Sequence, residues 1–535
     1  MRLPLLGLTS GLALMLAASA AWAQNVPFSR IVEAQKEPHN WLTYSGNYNG
    51  QRHSALDQIN VSNVKRLKVA WVHHTGTTES HETTPLVVDG VMFLTEGPNI
   101  VKSLDTRTGN LLWRYEKKIP QDLRLCCGRP NRGVAILGDT IYYGSIDAHL
   151  IALDAKTGRI KWDVEMADHK LGYSSTVAPL AVKDKILIGA AGGEFGIRGF
   201  LDAYDARTGK RVWRFHTIPG PGDPEFGTWE GDSWKTGSAA IWTTGSYDPA
   251  TNTTIWGTGN PGPDWNGDVR LGDNLYSCSF IALDVDTGKK KWHFQFTPHD
   301  THDWDATQVP VLIDGTFRGA AKKMVATANR NAFFYVLDRD NGKFLAGKPF
   351  VKQTWAKGLD DSGRPMVIAG TDPTEEGNLV WPSLAGGTNW ASPSYSPQTK
   401  LFYVPAREQG AFYYKGEAEY KPGVIFNGGG QRVKPDEEPY GAIRALEPET
   451  GNLKWEFKTQ IPLNVGILTT QGGLLFSGIG QGDFFALNAA TGELLWRFKT
   501  NGPMNSGPMT YAVDGKQYVA MPIGRSLYVF DLMES

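Results

Sequence analysis

One ten-residue pattern recurs along this chain of 535 residues and limits the folds that it can adopt. The pattern is a strand that ends in Leu-Asp, a turn with Thr-Gly, and a second strand that carries Trp. We expect the Asp and Thr side chains to cap a hairpin turn and the Gly to adopt positive φ. The copies are "LDTRTGNLLW" from residue 104, "LDAKTGRIKW" from 153, "YDARTGKRVW" from 204, "LDVDTGKKKW" from 283, the degenerate "LDRDNGKFLA" from 337, "LEPETGNLKW" from 446 and "LNAATGELLW" from 487.

The intervals between most copies are close to the length of a four-stranded propeller blade, roughly 40 to 50 residues. The longest interval, from 337 to 446, has room for one more blade, which we place at "SPSYSPQTKLFYVPA" from residue 392. The interval from 204 to 283 has room for an insertion around "PDWNGDVRLGDNLY". The sequence therefore predicts an all-β chain without long helices, an eight-bladed β-propeller that forms a single domain over residues 24–535.

The Trp of each copy is predicted to dock between neighbouring blades rather than to bind a ligand, because regular repeats bury a shared core. These residues are Trp113, Trp162, Trp213, Trp292, Trp455 and Trp496. Functional residues are then expected in the segments that interrupt the repeat, on loops held by a rigid scaffold.

The first 23 residues have the pattern of a removable signal peptide. Arg2 supplies a positive charge, an apolar run follows, and "AWA" at 21–23 is a small-residue cleavage pattern. No later stretch has the length of apolar residues that a transmembrane helix needs, so we expect an exported protein without stable membrane insertion, periplasmic in a bacterium. The net charge of -1 argues against nucleic-acid binding.

Two of the three cysteines, Cys126 and Cys127, are adjacent in "LCCGRPNRGVA". An oxidising compartment allows them to form a strained ring, whereas two unbonded thiols are the alternative. Cys278 is left as an odd thiol, which we expect to be buried.

Together with the repeats, four segments in a characteristic order resemble the type I pyrroloquinoline quinone (PQQ)-dependent alcohol dehydrogenases, the methanol and ethanol dehydrogenase family. These segments are the adjacent cysteines followed by "NRGVA", "GGEFGIRG" at 192–199, "GTGNPGPDWN" at 257–266 and "HDTHDWD" at 299–305. The resemblance extends over essentially the whole chain after the signal peptide.

The resemblance implies an axial site for PQQ, a flat quinone with three carboxylates. The Cys126–Cys127 ring would lie against one face of the quinone and Trp242 against the other, while Gly192 and Gly193 would let the backbone approach it closely. Other residues fall on family positions that hydrogen-bond the cofactor: Glu82, Arg132, Thr176, Arg330 and Asn389.

The resemblance also implies a metal ion, held by oxygen ligands that suit a hard cation. The residues on ligand positions are Glu194, Asn260, Asp303 and Asp305. If "DWD" were a strand, Asp303 and Asp305 would point to the same face. Calcium-type methanol enzymes usually have Ala where Asp305 stands, and lanthanide-dependent relatives have Asp. Because a trivalent ion is better neutralised by a further carboxylate, we predict a lanthanide(III) ion, with Ca²⁺ as the alternative.

The implied reaction is oxidation of a primary alcohol to an aldehyde, with Asp303 as general base and Arg330 stabilising the charge that develops on the quinone oxygens. Trp265 resembles a wall of a pocket for small alcohols. The chain has no CxxCH haem motif, so a separate cytochrome c is implied as electron acceptor. The alternatives are a quinoprotein for polyols, sugars or larger alcohols and a non-catalytic propeller scaffold; a homodimer is left open.

Overall fold

The computed structural model describes residues 25–79, 81–435 and 438–533, so the predicted signal peptide lies outside the described residues. Helix α1 (Phe28–Val32) comes first and is the only α-helix in these ranges. Short 3-10 helices lie at Ala34–Lys36, Val64–Arg66, His169–Leu171, Gly193–Phe195, Phe226–Thr228, Ser233–Thr236 and Gly267–Val269. A search of the described residues for a helix long and apolar enough to span a bilayer finds none.

Two strands near the N-terminus, β1 (His53–Ser54) and β2 (Leu67–His74), precede five antiparallel sheets that follow one another along the chain. Each of these sheets has four strands that pair in sequence order. Sheet 1 contains β3 (Leu86–Val88), β4 (Val91–Glu96), β5 (Ile100–Asp105) and β6 (Leu111–Glu116); sheet 2 contains β7 (Ala135–Leu137), β8 (Thr140–Ser145), β9 (His149–Asp154) and β10 (Ile160–Glu165); sheet 3 contains β11 (Leu180–Val182), β12 (Lys185–Gly189), β13 (Phe200–Asp205) and β14 (Arg211–His216); sheet 4 contains β15 (Ser246–Asp248), β16 (Thr253–Gly257), β17 (Ser279–Asp284) and β18 (Lys290–Gln295); sheet 5 contains β19 (Val311–Phe317), β20 (Ala320–Ala328), β21 (Phe333–Asp338) and β22 (Phe344–Pro349).

The remaining strands form three more large sheets and two small ones. The small sheets are β23 (Ala356–Leu359) with β24 (Pro365–Val367), and β25 (Asn378–Val380) with β28 (Ala411–Lys415) and β29 (Gly429–Val433). Sheet 6 contains β26 (Ser394–Ser396), β27 (Leu401–Glu408), β30 (Tyr440–Leu446) and β31 (Leu453–Thr459); sheet 7 contains β32 (Leu468–Thr470), β33 (Leu474–Ile479), β34 (Asp483–Asn488) and β35 (Leu494–Lys499), with β1 parallel to β32; sheet 8 contains β36 (Met509–Val513), β37 (Lys516–Ile523) and β38 (Ser526–Leu532), with β2 paired to β38.

The described chain thus contains eight sheets of four or five strands, so the all-β prediction is confirmed and the sheets are consistent with the predicted eight blades. The predicted location of the unmarked blade is wrong. The stretch from residue 392 forms β26 and β27 of sheet 6, the same sheet that the repeat copy at 446 completes. The unmarked blade is sheet 8, which joins β2 near the N-terminus to the last strands, while the small sheets fill the long interval. A local pattern could not reveal a blade whose strands lie at opposite ends of the sequence.

The repeated turns have the predicted geometry. In the copy from residue 153, Oδ1 of Asp154 accepts hydrogen bonds from the backbone N–H of Thr157 at 2.9 Å and from its hydroxyl at 2.7 Å. Gly158 follows with φ +69°, and a Cβ there would lie 2.5 Å from the ring of Trp113. Nε1 of Trp113 donates to the carbonyl oxygen of Ala155 at 2.9 Å. Trp113 therefore contacts the turn of the next blade, as predicted.

The same contact recurs around the molecule. Nε1 of Trp71, Trp162, Trp213, Trp292 and Trp455 donates to a carbonyl oxygen of the next turn, at Thr106, Ala206, Val285, Arg339 and Ala489. The degenerate copy at 337 has Ala346 in place of Trp, and the next turn glycine, Gly451, lies against Lys348 instead. The N–H of each Trp and the small size of each Gly together set the spacing between blades.

Candidate active site

The fourteen predicted site residues all lie at one end of the sheets. Each occupies either the segment before the first strand of a sheet or the connection between its second and third strands; Gly192 to Glu194 follow β12, Asn260 follows β16 and Arg330 follows β20. In an antiparallel sheet, the first strand starts at the same end of the sheet as that at which the second strand finishes. The topology therefore gathers these residues on one face of the fold, although they are far apart in sequence.

A first cluster is organised around Arg132. Nη2 of Arg132 lies 2.9 Å from Oε2 of Glu82, and Nη1 donates to Oγ1 of Thr176 at 2.9 Å. The guanidinium carbon lies 4.9 Å from the ring centroid of Trp242 and 4.6 Å from that of Trp390. The charge is thus held between two aromatic faces and one carboxylate, which fixes Arg132 and Trp242 relative to each other.

A second cluster is organised around Asp305. Oδ2 of Asp305 accepts from Nη1 of Arg330 at 2.7 Å and from Nε1 of Trp242 at 3.1 Å. Oδ1 accepts from the backbone N–H of Asn260 at 2.6 Å. Because an ionised carboxylate has about four acceptor positions, these three donors leave one position for a further partner. Trp242 belongs to both clusters and joins them.

Asp303 reaches the same guanidinium by a different route from the predicted one. The segment around Asp303 and Asp305 is a loop, and Asp303 has φ +58°, so the expectation of a strand is wrong here. A left-handed residue turns the chain, and Oδ2 of Asp303 lies 3.8 Å from Nη2 of Arg330. At 19% exposure, the Asp303 side chain is more exposed than that of Asp305 at 8%. The two carboxylates converge, with Asp303 the more accessible of the pair.

The adjacent cysteines form a disulfide, on an exposed loop before β7. Sγ of Cys127 lies 3.5 Å from Oε1 of Glu194, which places this ring beside that carboxylate. Cys278 is free and buried, as predicted.

The glycine pair before Glu194 shapes the local backbone. Gly192 has φ +112°, and a Cβ there would lie 2.1 Å from the carbonyl oxygen of Gly172. The carbonyl oxygen of Gly193 accepts from Oγ of Ser238 at 2.5 Å. Gly192 is therefore required by the fold itself, because any side chain would force the loop that presents Glu194 away from its neighbour.

Asn389 lies on the segment after Leu384, whose carbonyl oxygen accepts a hydrogen bond from Arg330. Its Nδ2 donates to the carbonyl oxygen of Ala385 at 3.2 Å, and its Oδ1 accepts from the backbone N–H of Trp390 at 2.8 Å. Asn389 thus positions Trp390, whose ring contacts Arg132. Contacts thus link Asn389, through Trp390, to the cluster of Arg132 and, through Trp242, to that of Asp305, whereas the disulfide ring contacts Glu194 separately.

Asp264 is a member of the site that sequence reasoning did not single out. Its carboxylate is buried, and Oδ1 accepts from Nδ2 of Asn260 at 2.8 Å. This hydrogen bond commits the amide nitrogen of Asn260, so its side-chain oxygen is the atom available to a cation. The signal was the acid within "GTGNPGPDWN" itself, four residues after Asn260.

Arg270 is a second residue that the sequence analysis missed. Its fully buried guanidinium donates to the carbonyl oxygens of Pro263 at 3.0 Å and Asp300 at 2.6 Å, and to Oδ1 of Asn274 at 2.8 Å. Arg270 therefore ties the loop that carries Asn260 to the loop that carries Asp303. It lies in the insertion predicted between the repeats, and only tertiary structure reveals its partners.

The acidic residues raise one another's pKa. Burial raises the pKa of Asp303 well above its usual range, and although the charge of Arg330 opposes this, Asp305, Asp264 and Glu194 add to it. Burial followed by the charge of Glu194 raises the pKa of Asp264, and burial raises the pKa of Glu194 and of Asp305. Glu194, Asp303 and Asp305 share the nearby guanidinium of Arg330, and Asp264 has that of Arg270, so the four carboxylates outnumber the two guanidinium groups and the cluster has an excess of negative charge when ionised. This donor set, with the amide oxygen of Asn260, fits a hard cation.

The surroundings also fit a flat anionic cofactor. The aromatic rings of Trp242 and Trp390 and the disulfide ring offer rigid surfaces, and two guanidinium groups, on Arg132 and Arg330, lie beside them. Flat rings bind flat ligands with little loss of side-chain freedom, and fixed guanidinium forks suit carboxylate and carbonyl oxygens.

Comparison with known proteins agrees with this chemistry. The family model for the PQQ-containing glucose/ethanol/alcohol dehydrogenase β-propeller domain matches residues 41–354 and 437–519. The chain is 42% identical over 552 residues to the quinoprotein alcohol dehydrogenase PedH of Pseudomonas putida, an alignment that covers 98% of this chain and 92% of the relative. It is 38% identical to a quinoprotein ethanol dehydrogenase of Pseudomonas putida, over 97% of this chain and 90% of that one.

A solved structure shares the fold almost throughout. The europium-containing methanol dehydrogenase superposes with a TM-score of 0.90 at 34% sequence identity, over 94% of this chain and 100% of that chain.

Proposed function

Because the chain belongs to the family of PQQ-dependent alcohol dehydrogenases, we propose that it oxidises a primary alcohol to an aldehyde, with PQQ and one metal ion bound at the site described above. The observation that carries this proposal is the convergence of Asn260, Asp303 and Asp305 beside Arg330 and Trp242, with Glu194 near enough for its charge to raise the pKa of Asp303. Membership of an enzyme family sets aside the non-catalytic scaffold that the repeat alone allowed.

The residues proposed to hold the cation are Glu194, Asn260, Asp303 and Asp305. Asp305 has one acceptor position beyond its three donors, and the amide of Asn260 is fixed by Asp264. The negative charge of the cluster favours a trivalent lanthanide, and the similarity to a europium-containing methanol dehydrogenase supports the same choice. Ca²⁺ is the alternative.

The chain's own residues position the reactants. When bound, PQQ supplies the two-electron acceptor and the cation supplies Lewis acidity. Asp303, the more exposed carboxylate beside Arg330, takes the proton from the alcohol hydroxyl as general base. Arg330 is held by Asp305 and by the carbonyl oxygen of Leu384 at 2.6 Å, so its charge is fixed in advance where negative charge develops. Trp242 and the disulfide ring would lie against the two faces of bound PQQ and exclude water from them.

Two further elements of the proposal come from the sequence. The predicted signal peptide supports a periplasmic location. The absence of a CxxCH motif supports electron transfer to a separate cytochrome c rather than to a haem on the same chain.

The test is reconstitution of the full apoprotein with PQQ and either Ca²⁺ or La³⁺, followed by dye-linked oxidation of methanol, ethanol and a longer alcohol. We expect activity with La³⁺, and loss of that activity in Asp305→Ala. A matched control is Asp232→Asn, a carboxylate at 80% exposure that pairs only with Lys235 across a surface turn.

Each outcome separates parts of the proposal. Activity with Ca²⁺ alone would contradict the choice of a lanthanide and keep the enzyme class. Activity of Asp305→Ala equal to that of the unaltered protein with La³⁺ would contradict the role of Asp305. No activity with either metal, together with no PQQ absorbance in the protein, would overturn the proposed function.

A further inference from the structure

Arg407 is a cation at the same end of the sheets that the predicted site does not include. It lies near the end of β27, and its backbone N–H donates to the carbonyl oxygen of Gly387 at 2.8 Å. The backbone N–H of Gly387 in turn donates to the carbonyl oxygen of Arg330 at 2.9 Å. One residue, Gly387, therefore bridges the backbones of Arg330 and Arg407, on the segment that also carries Asn389.

The guanidinium of Arg407 has few partners. Nη1 donates to the carbonyl oxygen of Leu463 at 2.8 Å, and buried Nε has no acceptor in the described structure. A guanidinium has five N–H donors, so most of its capacity is unused. Its side chain is only partly exposed, and no carboxylate of the described residues lies within ion-pair distance.

Two other arginines at the site are each paired with a carboxylate. Arg132 pairs with Glu82 at 2.9 Å, and Arg330 pairs with Asp305 at 2.7 Å. Burial, with a smaller effect of the positive charge of Arg330, lowers the pKa of Arg407 to about 10. Arg407 is thus a largely buried cation that faces another cation, an arrangement that costs free energy until an anion joins it.

Two other buried arginines without a carboxylate show what a purely structural role looks like. Arg52 donates to the carbonyl oxygens of Tyr44, Gly507 and Pro508, and Arg270 makes the bonds described above. Each of them donates to at least three oxygens of the chain, although Nε of Arg52 also has no acceptor in the described structure. The guanidinium of Arg407 donates to one, that of Leu463, so most of its donors are left for a ligand that the fold itself does not provide.

We propose that Arg407 binds a carboxylate of PQQ and is a further cofactor-binding residue of this chain. The inference rests on the proposed function, since it needs PQQ at the site. PQQ has three carboxylates, and Arg407 offers the positive charge near the site that no acidic side chain of the described chain neutralises. A guanidinium fork matches a carboxylate geometrically.

The experiment is a titration of the full apoprotein with PQQ, followed by quenching of tryptophan fluorescence. We expect Arg407→Met to raise the Kd about tenfold or more, because a charge-assisted hydrogen bond in a partly buried site is lost. Arg407→Lys keeps the charge without the guanidinium fork, so its Kd for PQQ should lie between those of the unaltered protein and Arg407→Met. The matched control is Arg497→Met, an exposed arginine on the edge strand β35, which should leave the Kd unchanged.

A second readout separates a direct contact from a structural effect. PQQ trimethyl ester lacks the anionic carboxylates, so the ratio of its Kd to that of PQQ measures the contribution of charge. We expect this ratio to be several-fold smaller in Arg407→Met than in the unaltered protein. A merely destabilised fold would weaken both ligands alike and leave the ratio unchanged. Should the Met variant not fold, the same ratio in Arg407→Lys and Arg407→Gln provides the comparison.

The failure of this inference is distinct from the failure of the proposed function. If the unaltered protein binds PQQ and Arg407→Met binds it within twofold of the same Kd, or shows the same ester ratio, the role of Arg407 is overturned and the enzyme class stands. If the unaltered protein does not bind PQQ, the proposed function and this inference fall together.

Discussion

At the scale of single residues, the site is defined by how each polar atom is already used. Asp305 accepts three hydrogen bonds, the amide nitrogen of Asn260 donates to Asp264, and Arg132 is held between two rings. These contacts leave Asp303 as the more accessible carboxylate beside Arg330. The division between a fixed acid and an accessible one is the physical basis for assigning different roles to two carboxylates that are two positions apart.

The first prediction concerns Asp303. Asp303→Asn keeps the size of the side chain and removes its ability to accept a proton, so we expect kcat to fall by about 10²- to 10⁴-fold. The measurement is dye-linked alcohol oxidation, with PQQ absorbance of the purified protein as the check that cofactor is still bound. Full activity in a PQQ-loaded Asp303→Asn protein would remove Asp303 from the role of base.

The second prediction concerns Asp264. Asp264→Asn leaves an acceptor for Asn260 but lowers the negative charge and lets the two amides exchange orientations. We expect the affinity of the apoprotein for a lanthanide ion to fall by about 10- to 100-fold. Sensitised Tb³⁺ luminescence during a titration measures this directly. Unchanged affinity would mean that Asp264 does not orient Asn260.

At the scale of elements, the blades are coupled by a Trp of one and a Thr-Gly turn of the next. Nε1 of Trp213 donates to the carbonyl oxygen of Val285 at 2.9 Å, and a Cβ on Gly288 would lie 2.6 Å from the same ring. Because the loops of the site leave from neighbouring sheets, the spacing set by these contacts also sets the distances between Glu194, Asn260 and Asp303.

The third prediction tests this coupling. Trp213→Ala removes both the ring contact and the hydrogen bond, so we expect a loss of about 3 kcal/mol in the free energy of unfolding. Trp213→Phe keeps a ring and loses only the hydrogen bond, so we expect the free energy of unfolding to fall by about 1 kcal/mol. Urea denaturation measures both. The control is Val212→Ala on the same strand, a side chain at 48% exposure, which should change stability by less than about 0.5 kcal/mol.

At the scale of the whole molecule, the ring is closed by strands from the two ends of the chain. β2 pairs with β38 from Leu67 opposite Leu532 to His74 opposite Ser526. Sheet 8 therefore exists only when residues near both termini are in place, and we expect unfolding to be cooperative around the ring. A propeller closed in this way leaves no unpaired blade at either end.

The fourth prediction concerns the pH dependence of the whole fold. Burial lowers the pKa of His53, His81, His216 and His293 to about 4, below the ordinary value of 6.5. Between these values, the unfolded chain binds protons that the folded chain does not. We therefore expect the contribution of these histidines to stability to be fully present above about pH 6.5 and to be lost as the pH drops towards 4. The measurement is the midpoint of thermal unfolding at a series of pH values.

A matched set of variants isolates the histidine contribution. His216→Gln and His293→Gln together should flatten the slope between pH 6.5 and 4, because two of the groups that protonate only on unfolding are gone. A slope that is the same with and without these histidines would assign the acid sensitivity to other groups.

The sequence by itself determined the repeat and the class of fold, and it predicted site residues that the structure places at one end of the sheets. The turn chemistry of Asp, Thr and Gly is local, and the positions of Trp follow from it, so both can be read from ten residues. The predicted site residues converge because each interrupts the repeat at an equivalent place in its sheet. The eight sheets of the structure are consistent with the number of blades predicted from the copies and their spacing, whereas the predicted location of the unmarked blade is wrong.

The tertiary structure alone decided what depends on contacts between distant segments. The closing blade needs strands that lie at the two ends of the chain, and no local pattern marks such a pairing. Arg270 and Asp264 sit in an insertion whose sequence has no period, and their roles come from the loops that they join. Arg407 belongs to an ordinary strand, and its significance lies in the partners that it lacks. Whether a charged side chain has a partner of opposite charge depends on contacts between segments that are far apart in sequence, and the order of residues does not show these contacts.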